Sequence, residues 1–379
     1  MPEDQEEATL VARVYDPEVR GPCVASIRGS EVVDLTGVEP TVSQLVARPD
    51  AVAIVREAPG SRTWSLHDVL FASLAGKANV PRFLAPLDLQ VLKAAGVTFV
   101  RSMLERVVEE RAAGDPARAD EVRRKLVDIV GDAVSRVRPG SPEAERVKEV
   151  LVAEGLWSQY LEVGIGPDPE IFTKAPVLAA VGLGAQIGVR ARSIWNNPEP
   201  ELVMTVRADG WPVGATLGND VNLRDFEGRS ALLLPEAKDN NASAAVGPFL
   251  RLFDDGFTLD HLRAADVSLS VLGRDGFTLN GVSSLREISR DVLDLVGCAI
   301  GDHHQYPDGF ALFTGTMFAP TADRYQPGEG FTHAEGDIVV ISSPRLGALV
   351  NCVTTAEAAP RWTFGIAALM RNLSERGLL

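Results

Sequence analysis

The sequence predicts an α+β fold, mainly β, with a small β-rich domain at 1–85 and a larger domain at 86–379 that contains a helical segment at about 103–164. Three observations lead there. Short runs alternating apolar and polar residues recur in pairs around turns instead of alternating with long helices, which disfavours doubly wound and barrel architectures. One stretch between them has apolar residues at helical spacing, namely Val122, Leu126, Ile129, Val130, Ala133 and Val137. Finally, 379 residues exceed the usual size of a single domain.

The elements follow in order. Residues 8–36 read as short strands, with Arg28-Gly29-Ser30 as a turn, and 41–73 as short helices and loops. The stretch GKANVPRFLAPLD (76–88) reads as a connector, and AAGVTFVRS as a strand running into the helical segment. Pro139-Gly140 breaks that segment, and Ser141-Pro142 restarts it as N-cap and first helical residue. From 170 onward strands and turns dominate. VSLSVLGRDGFTLNG is a hairpin on an Asp275-Gly276 turn, and GDIVVISSPRLGALVNCV supplies two more strands before a C-terminal helix.

Composition narrows the function. With 37 basic and 52 acidic side chains, net charge −15, the chain lacks the basic surface that nucleic acid or an anionic membrane requires. An apolar fraction of 45% supplies a core without disulfides, and Cys23, Cys298 and Cys352 form no C-x-x-C pair. The N-terminus MPEDQEEATL has no secretory pattern, and no apolar run reaches the ~20 residues of a membrane span. A cytoplasmic protein is expected.

The segment NNPEPELVMTVRADGWPVGATLGND (196–220) concentrates the chemistry. Glu199 and Glu201 share one face of a strand. A turn centred on Asp209-Gly210 sets a register that places Asp220 opposite Glu199. Cross-strand partners lie about 5 Å apart, so three carboxylates would crowd one spot and raise one another's pKa. A hard divalent ion removes that conflict, whereas a solvated edge strand is the plain alternative. Arg224, one helical turn past Asp220, could stand beside these acids or meet a substrate carboxylate. Lys238 could do either, or act as a base if its pKa is depressed. Thr314 and Thr316, in FTGTMFAP, suit a carboxylate grip through hydroxyl and backbone N–H. Other signatures fail: VGLGAQIG has Ile187 where a dinucleotide loop needs a small residue, and the five histidines share no metal spacing apart from adjacent His303 and His304, whose side chains would diverge in an extended segment.

Taken in order, EPELVMTV, GNDVNLRD, AK and TGTMF resemble the fumarylacetoacetate hydrolase superfamily over roughly 86–379. The resemblance implies a mixed β-sandwich roll, commonly dimeric or of higher homo-oligomeric state. It implies Glu199, Glu201 and Asp220 as ligands of Mg²⁺, with Mn²⁺ or Ca²⁺ possible in its place, and a 2-keto acid as substrate. The C–C hydrolases of the superfamily carry a histidine where GVTFVRSMLERV has none and Ser102 stands near its place, so Ser102 is a candidate substrate contact. The chain is more similar to the 2-keto-3-deoxy-pentonate dehydratases, through PDPEIFTKA, PEPEL and LLPEAKDNNASAAVGP. In those, the residues matching Glu170 and Lys238 are implicated in proton transfer, and Lys174 is expected to orient the substrate. The implied reaction removes the C3 proton and the C4 hydroxyl, giving 2,5-dioxopentanoate. The rivals are a C–C hydrolase of acylpyruvates or diketo acids and a member that binds keto acids without turnover.

Overall fold

The computed structural model describes residues 1–379 except 114, 116, 117, 120, 124–136, 154, 317, 319, 321 and 327–329. It is a strand-rich α+β fold. Among the described residues, eleven strands form one large sheet and five form a second, with a two-stranded ribbon beside them. Strand Pro200–Val206 sits inside the large sheet, between Pro212–Asp220 and Phe310–Phe313. Strands Val91–Gly96 and then Glu170–Ala175 continue the sheet beyond Phe310–Phe313. On the far side Ala244–Leu252 pairs with Pro212–Asp220 and also with Leu10–Asp16. The N-terminal strands therefore extend the same sheet as the acidic hairpin. Strand Arg82–Leu84, within the stretch read as a connector, joins them by pairing with Leu10–Asp16.

The sheet is rolled. In pairing order Glu170–Ala175 lies four strands from Pro212–Asp220, yet Lys174 Nζ is 2.7 Å from Asp220 Oδ1. Ala175, Ala244 and Val246 close the same small core, which brings the sheet's end back over its middle. On the opposite face Leu202, Met204, Val206, Ala215 and Leu217 pack against Val267, Leu269, Val271, Val339 and Ile341 of the five-stranded sheet. Both faces of the acidic hairpin are thus buried, which excludes the solvated-edge alternative for Glu199 and Glu201.

The register matches the sequence expectation, with Pro200 opposite Asn219, Glu201 opposite Gly218, and the Asp220 N–H donating to the Glu199 carbonyl at 3.1 Å. The turn itself lies one residue earlier than expected. Gly210 N–H donates to Arg207 O at 2.9 Å, so Ala208 and Asp209 are central, and Gly210 takes φ +83° behind them. A bulge between Thr205 and Val206 absorbs the offset. The Asp275-Gly276 hairpin repeats this, with Gly276 N–H on Gly273 O and φ +86°.

Helices Val100–Arg111, Pro142–Ala153 and Gln159–Ile165 share a separate apolar cluster around Met103, Val107, Leu151 and Leu161. Ser141 Oγ accepts from the Ala144 N–H and caps the second of these as expected. Leu126, Ile129, Val130 and Ala133 lie outside the described residues. No described helix is long and apolar enough to cross a membrane.

Candidate active site

The acids converge where the roll closes. One oxygen each from Glu199, Glu201 and Asp220 lie within 4.8 Å of one another, and all three residues are buried. Strand alternation puts the two glutamates on one face, and the antiparallel register brings Asp220 to them. Gly218, opposite Glu201, has no room for a side chain: a Cβ there would lie 2.5 Å from both Phe313 and Val203.

The charges in this cluster do not balance evenly. Lys238 Nζ bridges Glu199 Oε2 at 2.5 Å and Asp220 Oδ2 at 3.0 Å, while Lys174 holds Asp220 Oδ1 at 2.7 Å. Arg106, on helix Val100–Arg111, takes the other oxygen of Glu199. Glu201 has only a backbone partner, the Gly315 N–H at 2.7 Å, and no ion pair among the described residues. Its carboxyl is accordingly pushed well above the usual range by burial and by Asp220 and Glu199. Burial raises Asp220 too, but Lys174 and Lys238 outweigh it and leave that carboxyl below its ordinary value. Three oxygen donors, one of them without a counterion, fit a hard divalent cation.

Glu170 faces the same tight cavity of about 20 Å³, about one water's worth of room, together with Phe172, Ser102, Arg106, Glu227, Lys238 and Thr316. Burial and the nearby Glu227 push its carboxyl up to about 7, against the pull of Lys238 and Arg106. Its position depends on the residue paired with it: a Cβ on Gly96 would lie 1.9 Å from Glu170 Oε2. The carboxyl folds into the space that the glycine leaves.

Several expected contacts are placed elsewhere. Lys174 is fully buried behind Asp220, with its ammonium on Val221 O and Lys238 O, so it orients a carboxylate of the protein and not the substrate. Arg224 starts a new short helix after strand Asn222–Leu223. It bonds Glu109 at 3.1 Å and Pro320 O at 3.0 Å, stacks over Trp195 and does not line the cavity. Thr314 donates its hydroxyl to Leu202 O, turned away from the cavity. The grip read into that turn exists, but Gly315 supplies it and Glu201 receives it. Lys238 holds its proton in the metal-free protein: burial lowers its pKa, yet Asp220, Glu199 and Glu227 together raise it above the ordinary lysine value.

Arg106 and Glu227 were not singled out by the sequence. Arg106 sits three residues before Glu109, a helical ion-pair spacing, which was the available signal. Nothing local marks Glu227, which meets Arg106 at 3.1 Å from far along the sequence.

No family model matches the chain. It is 32% identical over 269 residues to the Haloferax volcanii protein named "Probable 2-keto-3-deoxyxylonate dehydratase", an alignment covering 65% of this chain and 89% of that one. The chain belongs to the fumarylacetoacetate hydrolase superfamily, in its 2-keto-3-deoxy-pentonate dehydratase branch. That membership makes it a hydro-lyase. A second dehydratase of the branch, the 2-dehydro-3-deoxy-D-arabinonate dehydratase of Saccharolobus solfataricus, is 31% identical over 210 residues, 55% of this chain and 67% of its own. The superfamily fold recurs in a 2-keto-3-deoxy-D-arabinonate dehydratase complexed with magnesium and 2,5-dioxopentanoate, at TM-score 0.63 and 22% identity over 91% of this chain and 99% of that one. It also recurs in the 5-carboxymethyl-2-hydroxymuconate delta-isomerase of Mycobacterium smegmatis, at TM-score 0.53 and 19% identity over 91% and 98%.

Proposed function

We propose that this dehydratase converts a 2-keto-3-deoxy-pentonate to 2,5-dioxopentanoate with Mg²⁺ held by Glu199, Glu201 and Asp220. The observation that carries the reading is the pairing of an under-neutralised buried acid triad with a carboxyl at about 7 on the same cavity. When bound there, a divalent cation would polarise the 2-oxo group and make the C3 proton acidic.

The protein's own groups supply the rest. Glu170, half ionised near neutrality, takes the C3 proton and passes one to the departing C4 hydroxyl, which leaves as water. Lys238 keeps its proton and serves as a fixed positive charge and hydrogen-bond donor beside the developing enolate. On the cavity wall Thr316 Oγ accepts from the Phe318 N–H and keeps its own O–H for the substrate, whereas Ser102 donates to the Phe99 carbonyl at 3.0 Å and is left to accept. Tautomerisation after loss of water gives the semialdehyde. The proposal carries with it a cytoplasmic homo-oligomer, whose assembly sedimentation equilibrium would measure.

A proton NMR time course tests the reading. The protein is mixed with 2-keto-3-deoxy-D-pentonate, with Mg²⁺ in one tube and excess EDTA in the other. The aldehyde signal of 2,5-dioxopentanoate should grow only with the ion. Unchanged substrate in both tubes, with an acylpyruvate cleaved instead, would replace the dehydratase by a hydrolase.

A further inference from the structure

The surroundings of Arg106 carry an inference that rests on the cation site proposed above. Both carboxylate oxygens of Glu199 are already engaged, Oε1 by Arg106 and Oε2 by Lys238 at 2.5 Å. A cation that draws one oxygen from each of three acids would meet the like charge of Arg106 or Lys238 at Glu199, which favours release of one of these contacts. The two are not equally committed. Lys238 has Asp220 as its other carboxylate, itself a member of the triad. Arg106 has two carboxylates outside the triad, with Nη1 2.7 Å from Glu109 and 3.1 Å from Glu227. Stripping a buried charge of its partner is strongly unfavourable, but here replacement partners are in place before the exchange begins.

We infer that Arg106 is the exchangeable counterion of the site. In the metal-free protein it neutralises Glu199; when a divalent cation binds, it gives that carboxylate up and rests on Glu109 and Glu227. Glu227 is then a positioning residue that acts on the cation site through Arg106. Glu109 is in turn ion-paired with Arg224, whose Nε lies 3.1 Å from it.

The test is Mg²⁺ binding by calorimetry, independent of turnover. R106Q should bind about tenfold more tightly than wild type, because the competitor for Glu199 is gone, and E227Q about tenfold more weakly. The deciding quantity is the double variant: in the R106Q background, E227Q should cost nothing further. An equal loss in both backgrounds means that Glu227 acts on the cation through space, and overturns the inference. Should R106Q fail to fold, a crystal structure of the wild-type protein with Mn²⁺ decides. Arg106 beyond about 4 Å from Glu199, with Nη1 on Glu109 and Glu227, supports the exchange; Arg106 retained on Glu199 overturns it. Wild-type protein that binds no Mg²⁺ refutes the cation site itself, which is a different failure.

Discussion

Two hairpins of this protein share one turn and differ in everything the turn does not decide. In both an aspartate accepts from the N–H two residues on, and the glycine between them takes a positive φ. Strands Asp266–Leu272 and Thr278–Ser284 then alternate buried and exposed positions, and Asp266 lies in water beside Arg286 and Ser284. Strands Pro200–Val206 and Pro212–Asp220 are buried on both faces and, with Glu199 just before the first, carry three acids inside. An acid on a half-buried ribbon is solvated, whereas an acid on a doubly covered one needs a counterion. Glu201 has no protein cation to itself, and that deficit separates a site from a surface.

The largest break of this contrast is Glu201→Gln set against Asp266→Asn. The first should lower kcat by about 10³-fold or more, since it removes a ligand that no other group replaces. The second should leave activity alone and shift stability by less than about 0.5 kcal/mol. The pH dependence of stability follows the same line. The Glu201 carboxyl sits above its unfolded value, so the folded metal-free protein holds a proton that the unfolded chain has lost, and stability falls as pH rises above about 4.5. Glu201→Gln should flatten that slope in a series of urea melts, and an unchanged slope would place the deficit elsewhere.

Glu170→Gln comes next, with an expected fall in kcat of about 10²–10⁴. Its ionised form is the base, so the wild-type rate should climb through pH 7 and the variant should lose that limb. Gly96→Ala should act more gently, at about 10-fold or somewhat more, by pushing the Glu170 carboxyl out of the space it fills while Mg²⁺ affinity stays unchanged. Loss of metal binding in Gly96→Ala would show that the glycine serves the triad instead. The smallest effect belongs to the feature that the hairpins share. Gly210→Ala and Gly276→Ala should each cost about 1–2 kcal/mol in denaturant titrations, with activity intact.

The acid triad was legible because it follows from local rules: a period of two, a D-G turn and the antiparallel register that joins them. The one-residue offset of the turn did not spoil it, since the Thr205–Val206 bulge restores the pairing. The roll was legible only through the family resemblance and not from local pattern, because it depends on Lys174 and Ala175 meeting residues from strands far along the sheet. For the same reason Lys174, Arg224 and Thr314 were expected at the substrate. A charged or hydroxyl side chain announces its chemistry in sequence, but whether Asp220, Glu109 or the Leu202 carbonyl has already claimed it is a tertiary fact. Lys238 shows the same limit, since burial alone would favour a base and the neighbouring carboxylates reverse the sign.

The claim beneath all of this is that Glu199, Glu201 and Asp220 form a divalent cation site in which Glu201 has no cation of its own among the described residues. Calorimetric titration of EDTA-treated protein with Mg²⁺ tests it most directly. The account predicts one ion bound per chain, with binding abolished by Glu201→Gln and untouched by Asp266→Asn. Absence of binding in the wild type, or equal binding in Glu201→Gln, would contradict it.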